Sequence, residues 1–315
     1  MVKAKKIKAA DRQQACKKLT RVLKKRYQVS LPKEKPVLET LLFAICLEDA
    51  TVPQAEESFR RLNEDFFDLN EVRVSSISEL AIVFRGSTEP EKRALQVRNV
   101  LHDIFEKNFS FDFEGLKKKT ADLALKQLKR IRNLSSFVRS YVLQYSLDSH
   151  VIPIDESMKN AAIWFGFANL ESTAEDVADF LKPALRKSDA KLFCLLLNSL
   201  ATDQKLQFCF SEKIIKKAKF DFDLFKLTER LEDAIKESKK RPRKKVVKKT
   251  VPKKKTVKKT GKKSASKKSS SKVTNKKPAK KTSKKKKKIA KKKKKTGTSK
   301  KKTLTKRKKT RRSKN

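Results

Sequence analysis

The last quarter of this 315-residue chain can contribute to no folded core. From Lys239 to Asn315 it holds 42 Lys and Arg and not one Asp or Glu. Its apolar residues are few and scattered (Val246, Val247, Val251, Val257, Val273, Ile289 and Leu304) between runs such as Lys284 to Lys288. Burying so little surface does not offset the entropy of ordering the backbone, so the segment is expected to be disordered. It supplies +42 of the formal net charge of +49. The preceding 238 residues carry 42 basic and 35 acidic residues, an ordinary balance for a soluble protein. A dense, acid-free positive charge implies a polyanionic partner. Duplex DNA is the expected partner of the tail from Lys239 to Lys314, with RNA, another polyanion or anionic lipid as the alternatives that charge alone allows. No amphipathic apolar face accompanies the lysines, which counts against a membrane surface.

The chain therefore divides into a short basic segment over 1–10, a folded domain over 11–238 and the tail over 239–315. Five glycines in the whole chain leave little room for tight hairpins, and apolar residues recur at spacings of three and four. An all-α domain follows. One helix is expected at 91–107, where Ala94, Val97, Leu101, Ile104 and Phe105 share a face after Pro90. A second follows Pro36, and Val37, Leu38, Leu41, Leu42 and Ile45 make it so apolar that it belongs at the centre of the core. Further helices are expected at 11–27, 53–62, 76–84, 118–129, 136–147, 157–166, 174–186 and 189–201. Cys16, Cys46, Cys194 and Cys209 lie far apart in apolar stretches, which implies buried reduced thiols in an intracellular protein. Neither these nor His102 and His150 have a metal-site spacing, so no metal and no cofactor is expected. No apolar run approaches a membrane span, and no signal peptide is indicated.

One stretch departs from the plain helical pattern. At Lys126, Lys129, Arg130 and Arg132 a basic helix end meets the polar turn Asn133-Leu134-Ser135-Ser136, and an apolar helix follows. Such a turn can present unpaired backbone N–H groups to a phosphate at the start of the second helix. A solvated loop beside a basic helix end is the plainer reading of the same residues.

The same stretch resembles the helix-hairpin-helix DNA glycosylases, the superfamily of endonuclease III and the alkyl-base glycosylases. Ile131-Arg132-Asn133-Leu134-Ser135-Ser136-Phe137-Val138-Arg139 matches a hairpin that in the family reads roughly L-P-G-V-G-R-K-T-A. Ile154-Asp155-Glu156-Ser157 matches its V-D-T-H, and the 18 positions from Phe137 to Asp155 equal the family's spacing. Leu41 to Glu48 is similar to the L-L-S-A-Q-x-T-D helix, and Phe84-Arg85-Gly86 with Lys92-Arg93-Ala94 to the G-x-x-x-K-A segment. The resemblance spans about residues 15–200 and implies a helix-hairpin-helix clamp in which Lys126, Lys129, Arg130, Arg132, Asn133, Ser135, Ser136 and Arg139 contact DNA. Four departures bear on chemistry. Asn133 and Ser135 replace both hairpin glycines, and a left-handed conformation suits Asn better than Ser. Phe137 stands where lyase-active members carry a Schiff-base Lys, so lyase chemistry is not expected. Ile45 replaces the Gln that members wedge into the duplex, an apolar wedge being physically feasible. The family's four-cysteine iron–sulfur loop is missing.

Without that Lys, base removal would need a carboxylate near the sugar, and Asp155 is the residue the resemblance places there, with Glu156 as a substitute. An Asp before a helix is also a preferred N-cap with no catalytic duty. Trp164, Phe165, Phe167, Tyr141 and Tyr145 could stack on an extruded base, but aromatics at helical spacing are more often core. Phe193, Phe208, Phe210, Phe220, Phe222 and Phe225 are likewise expected to pack inward, and Asp221-Phe222-Asp223 is too short for a metal loop. The expectation is a monomeric, DNA-associated protein of nucleoid or nucleus with a degenerate glycosylase-like domain. The alternative is a monofunctional base-excision glycosylase that uses Asp155.

Overall fold

Hydroxyl and carboxylate side chains mark where half of the described α-helices begin. The computed structural model describes residues 8–217 and 224–240, all within one unit of the chain, Met1–Val247; the unit Lys248–Asn315 lies outside the described residues. So do residues 1–7, Phe220, Phe222 and the Asp221-Phe222-Asp223 segment, and with them most of the basic N-terminal segment and of the expected tail. Among the described residues every regular element is helical. In chain order these are α1 (Ala9–Arg26), α2 (Val37–Leu47), α3 (Val52–Glu64), α4 (Leu69–Val74), α5 (Ile77–Val83), α6 (Pro90–Asn108) and α7 (Ala121–Leu128). They continue with α8 (Ser136–Ser146), α9 (Glu156–Trp164), α10 (Ala174–Leu181), α11 (Lys187–Ala201), α12 (Gln207–Phe210), α13 (Glu212–Lys217) and α14 (Leu227–Lys240). Thr51, Asp68, Ser76, Thr120, Ser135, Asp155 and Thr173 each accept a hydrogen bond from the first turn of the helix they precede. Each satisfies a backbone donor that the helix itself leaves open.

The helix after Pro36 is central, as its sequence requires. Along α2 only Glu39 escapes burial, and the helix packs against α3, α6 and α8. On α6, Ala94, Val97, Leu101 and Ile104 face the core, while Phe105 is half-buried against Phe111. All four cysteines are buried. No helix of the described residues is long and apolar enough to cross a membrane.

Several expectations need correction. The helix expected over 118–129 starts only at Ala121, after the Thr120 cap, and a short 3-10 turn (Glu114–Lys118) precedes it. The helix expected over 174–186 stops at Leu181, because Pro183 has no N–H to continue the ladder, and a 3-10 turn (Lys182–Ala184) replaces it. Ile45 is fully buried inside α2 and cannot wedge into a duplex. Phe225, expected to pack inward, is more than half exposed. The short helices α4, α12 and α13 carry too few turns for periodicity to reveal them. α14 buries Leu227, Leu231 and Ala234 and runs to Lys240.

Candidate nucleic-acid interface

The basic helix end and the polar turn form a helix-hairpin-helix unit, α7 joined to α8. Two apolar side chains, Ile131 and Leu134, are buried and pin the turn to the core. Between them Asn133 takes a left-handed backbone (φ 57°), a conformation that a short polar side chain tolerates where most residues do not. Its carbonyl accepts from Gln96 Nε2 at 3.1 Å. Ser135 needs no such tolerance. It is extended (φ −69°, ψ 162°), and its hydroxyl accepts from Val138 N–H at 3.2 Å, so replacing a glycine there costs no backbone strain.

The charged residues of the unit divide into two sets. Lys126, Lys129 and Arg130 are exposed and form no ion pair among the described residues. Arg132 is tied back to α6: Asp103 accepts its guanidinium at 2.8 and 3.0 Å and its backbone N–H at 2.8 Å. That pairing also puts a cation already at His102, Asp103 and Glu106, the cluster whose ligand types could otherwise hold a metal. Arg139 donates to the carbonyl of Leu134 and stiffens the turn from within. Ser136 is half-buried at the first position of α8. The backbone N–H groups of Asn133 and Leu134 in the turn, and of Ser136 and Phe137 in the first turn of α8, have no acceptor among the described residues; for the latter two the helix itself leaves them open.

Asp155 lies in a different environment, 3% exposed. Its Oδ1 accepts from Met158 N–H at 2.7 Å, capping α9, and its Oδ2 accepts from Asp49 N–H at 3.1 Å. Asp49 answers by accepting from Ser157 N–H at 2.8 Å. The two carboxylates thus bracket the α2–α3 corner, where Asp49 is left-handed (φ 49°), to the start of α9. Burial, and then the neighbouring Asp49 carboxylate, push the Asp155 carboxyl up to about 8, against the two amides that favour its charge. Glu48 is also raised, first by burial, while the Ser135 hydroxyl of the hairpin bonds its carboxylate and lowers it. Arg93, buried on α6, holds this corner by donating to the carbonyls of Ile45, Cys46 and Glu48 at the end of α2. Glu156 is exposed and pairs with Lys159 at 2.5 Å.

Beside this bracket the space is small. A cavity of about 10 Å³ is lined by Leu47, Phe137, Tyr141, Tyr145, Pro153 and Met158 among others, room for about one water. Tyr141 and Tyr145 line it with their rings stacked at a centroid distance of 4.2 Å. Beyond them lies a recess of about 190 Å³ lined in part by Lys33, Lys35, Phe43 and Lys191. Trp164, Phe165, Phe167, Phe193 and Phe210 are buried in the core. Sequence reasoning singled out Asp155 but missed the Asp49 and Arg93 that hold it. Their one visible signal is a pair of charges, Glu48-Asp49, ending a mostly apolar helix, and an arginine next to the apolar stripe of α6.

No protein-family model matches this chain, and no curated protein does. Among solved structures the chain is similar to endonuclease III trapped as a covalent intermediate with DNA, at 13% identity and TM-score 0.46, over 59% of this chain and 84% of that one. It is similar to the H. pylori 3-methyladenine DNA glycosylase MagIII bound to 1,N6-ethenoadenine, at 16% identity and TM-score 0.47, over 62% and 98%. A thermostable thymine-DNA glycosylase matches at 10% identity and TM-score 0.46, over 62% and 87%. At this level of similarity the chain's own residues carry the functional reading.

Proposed function

We propose that this protein binds duplex DNA without removing bases, through the lysine tail and the exposed cations of the α7–α8 hairpin. One observation carries the non-catalytic half of the reading: the carboxylate at the catalytic spacing is sealed. Stabilising an oxocarbenium-like sugar requires a charged oxygen beside the anomeric carbon. Asp155 has both oxygens on backbone amides, a raised pKa that weakens its charge, and a neighbouring cavity with room for about one water and none for a base. Phe137, 3% exposed, supplies no nucleophile. The binding half rests on charge. A tail of this density releases counterions from every phosphate it meets, an affinity that is sequence-independent and steeply salt-dependent. Lys126, Lys129 and Arg130 add unpaired cations at the turn.

A monofunctional glycosylase is the competing reading, and the 18-position spacing from Phe137 to Asp155 is what favours it. Two measurements on the full chain and on a chain ending at Lys240 separate them. Full-length protein should bind duplexes with an affinity that falls with salt by about 0.9 log units per log unit for each contacted phosphate, and the shorter chain should show a much flatter dependence. Neither should release a base from duplexes carrying single alkylated, deaminated or oxidised bases. Base release that Asp155→Asn abolishes would establish the competing reading, and an unchanged salt slope in the shorter chain would remove the tail from the account.

A further inference from the structure

Away from the hairpin, a groove of about 350 Å³ runs between α1 and the start of α11. Lys17, Arg21 and Lys24 line it from α1, at spacings of four and three that put them on one helix face over about 10 Å. Arg186 lines it from the other side. None of these four cations forms an ion pair among the described residues, and the groove's one acid, Asp189, reaches only the Ser188 hydroxyl at 3.4 Å. Arg186 is also the N-cap of α11 and offers no side-chain acceptor, so the N–H groups of Lys187 and Ser188 have no partner among the described residues. Four unpaired cations held together this way repel one another unless an anion lies between them.

We infer that this groove is a second phosphate-binding site, seating the backbone of a nucleic acid strand between α1 and α11. It is distinct from the hairpin. Asp148, just past the far end of α8, pairs with Lys187 at 2.7 Å and Lys191 at 3.0 Å in the first turns of α11. The hairpin lies at the other end of the eleven-residue α8, about 16 Å away. The site has its own residues and does not depend on the tail or on Asp155.

Lysine acetylation followed by mass spectrometry tests this on the full chain, with a mixed-sequence duplex and, separately, pyrophosphate as probes. The duplex should protect Lys17 and Lys24 from acetylation while exposed Lys107 on α6 remains reactive. In the Arg21→Glu/Arg186→Glu variant, with its helical circular dichroism intact, protection of Lys17 and Lys24 should be lost and that of Lys126 and Lys129 kept. Lys17 and Lys24 that stay fully reactive with duplex, or stay protected in the double variant, would overturn the site. Protection by pyrophosphate but not by duplex would overturn its assignment to nucleic acid. Protection at the groove with none at Lys126 and Lys129 would support the site and count against the hairpin's role.

Discussion

Replacing Asp155 by Asn tests the bracket at its most informative atom. The carboxylate uses one oxygen for Met158 N–H and the other for Asp49 N–H, and Asn has only one oxygen to give. Its amide NH2 must face one of the two donors, and leaving a buried donor without an acceptor costs about 1–3 kcal/mol. Against this stands the charge that Asn does not carry. Burial and Asp49 raise the folded pKa to about 8, well above the ~3.9 of an unfolded Asp. The folded state therefore binds this proton more tightly than the unfolded state. The contribution is complete below about pH 4 and is lost as pH rises through about 8, at no more than about 1.4 kcal/mol per pH unit. Wild type should be the more stable form at about pH 4, and at about 1.4 kcal/mol per pH unit its advantage of about 1–3 kcal/mol should be gone by about pH 6 and reversed above it. Urea denaturation followed through Trp164, the single Trp of the chain and a residue of the capped helix α9, reads the difference directly. Titrating groups that do not interact with Asp155 cancel in that difference. A stability gap that stays constant from about pH 4 to pH 9 would refute both the raised pKa and the bracket as its cause.

Arg93→Met should cost more than about 3 kcal/mol in the same denaturation assay, because it orphans several buried carbonyls at the end of α2, each worth about 1–3 kcal/mol. Asn133→Gly should change the melting temperature little, whereas Asn133→Val should lose about 1–2 kcal/mol, since the left-handed turn tolerates Gly and penalises a branched side chain. Borohydride treatment of a chain ending at Lys240 mixed with damaged duplex should trap no adduct on α8, Phe137 having no amine; an adduct mapped to that helix would show that another residue serves as nucleophile.

Much of the fold was legible in local sequence. The apolar run after Pro36 could satisfy itself only at the centre of a core, and the three-and-four spacing on α6 set its buried face. A caps-and-breakers reading accounts for the two corrected boundaries once Thr120 and Pro183 are weighed. The hairpin's position was legible too, but not its backbone: one of its two missing glycines matters for φ and the other does not, which depends on where the turn anchors against Gln96 and the core. The state of Asp155 was not legible at all. An N-cap and a catalytic carboxylate read the same along the chain. What the chain order hides is Asp49, 106 positions away, whose N–H reaches the second oxygen of Asp155 from a corner that Arg93 holds in place. Local sequence sets which residues can cap, bury or turn, because those preferences act over a few bonds. Whether a carboxylate meets solvent, a base or a second carboxylate depends on contacts made only when distant helices pack, and only the tertiary structure supplies them.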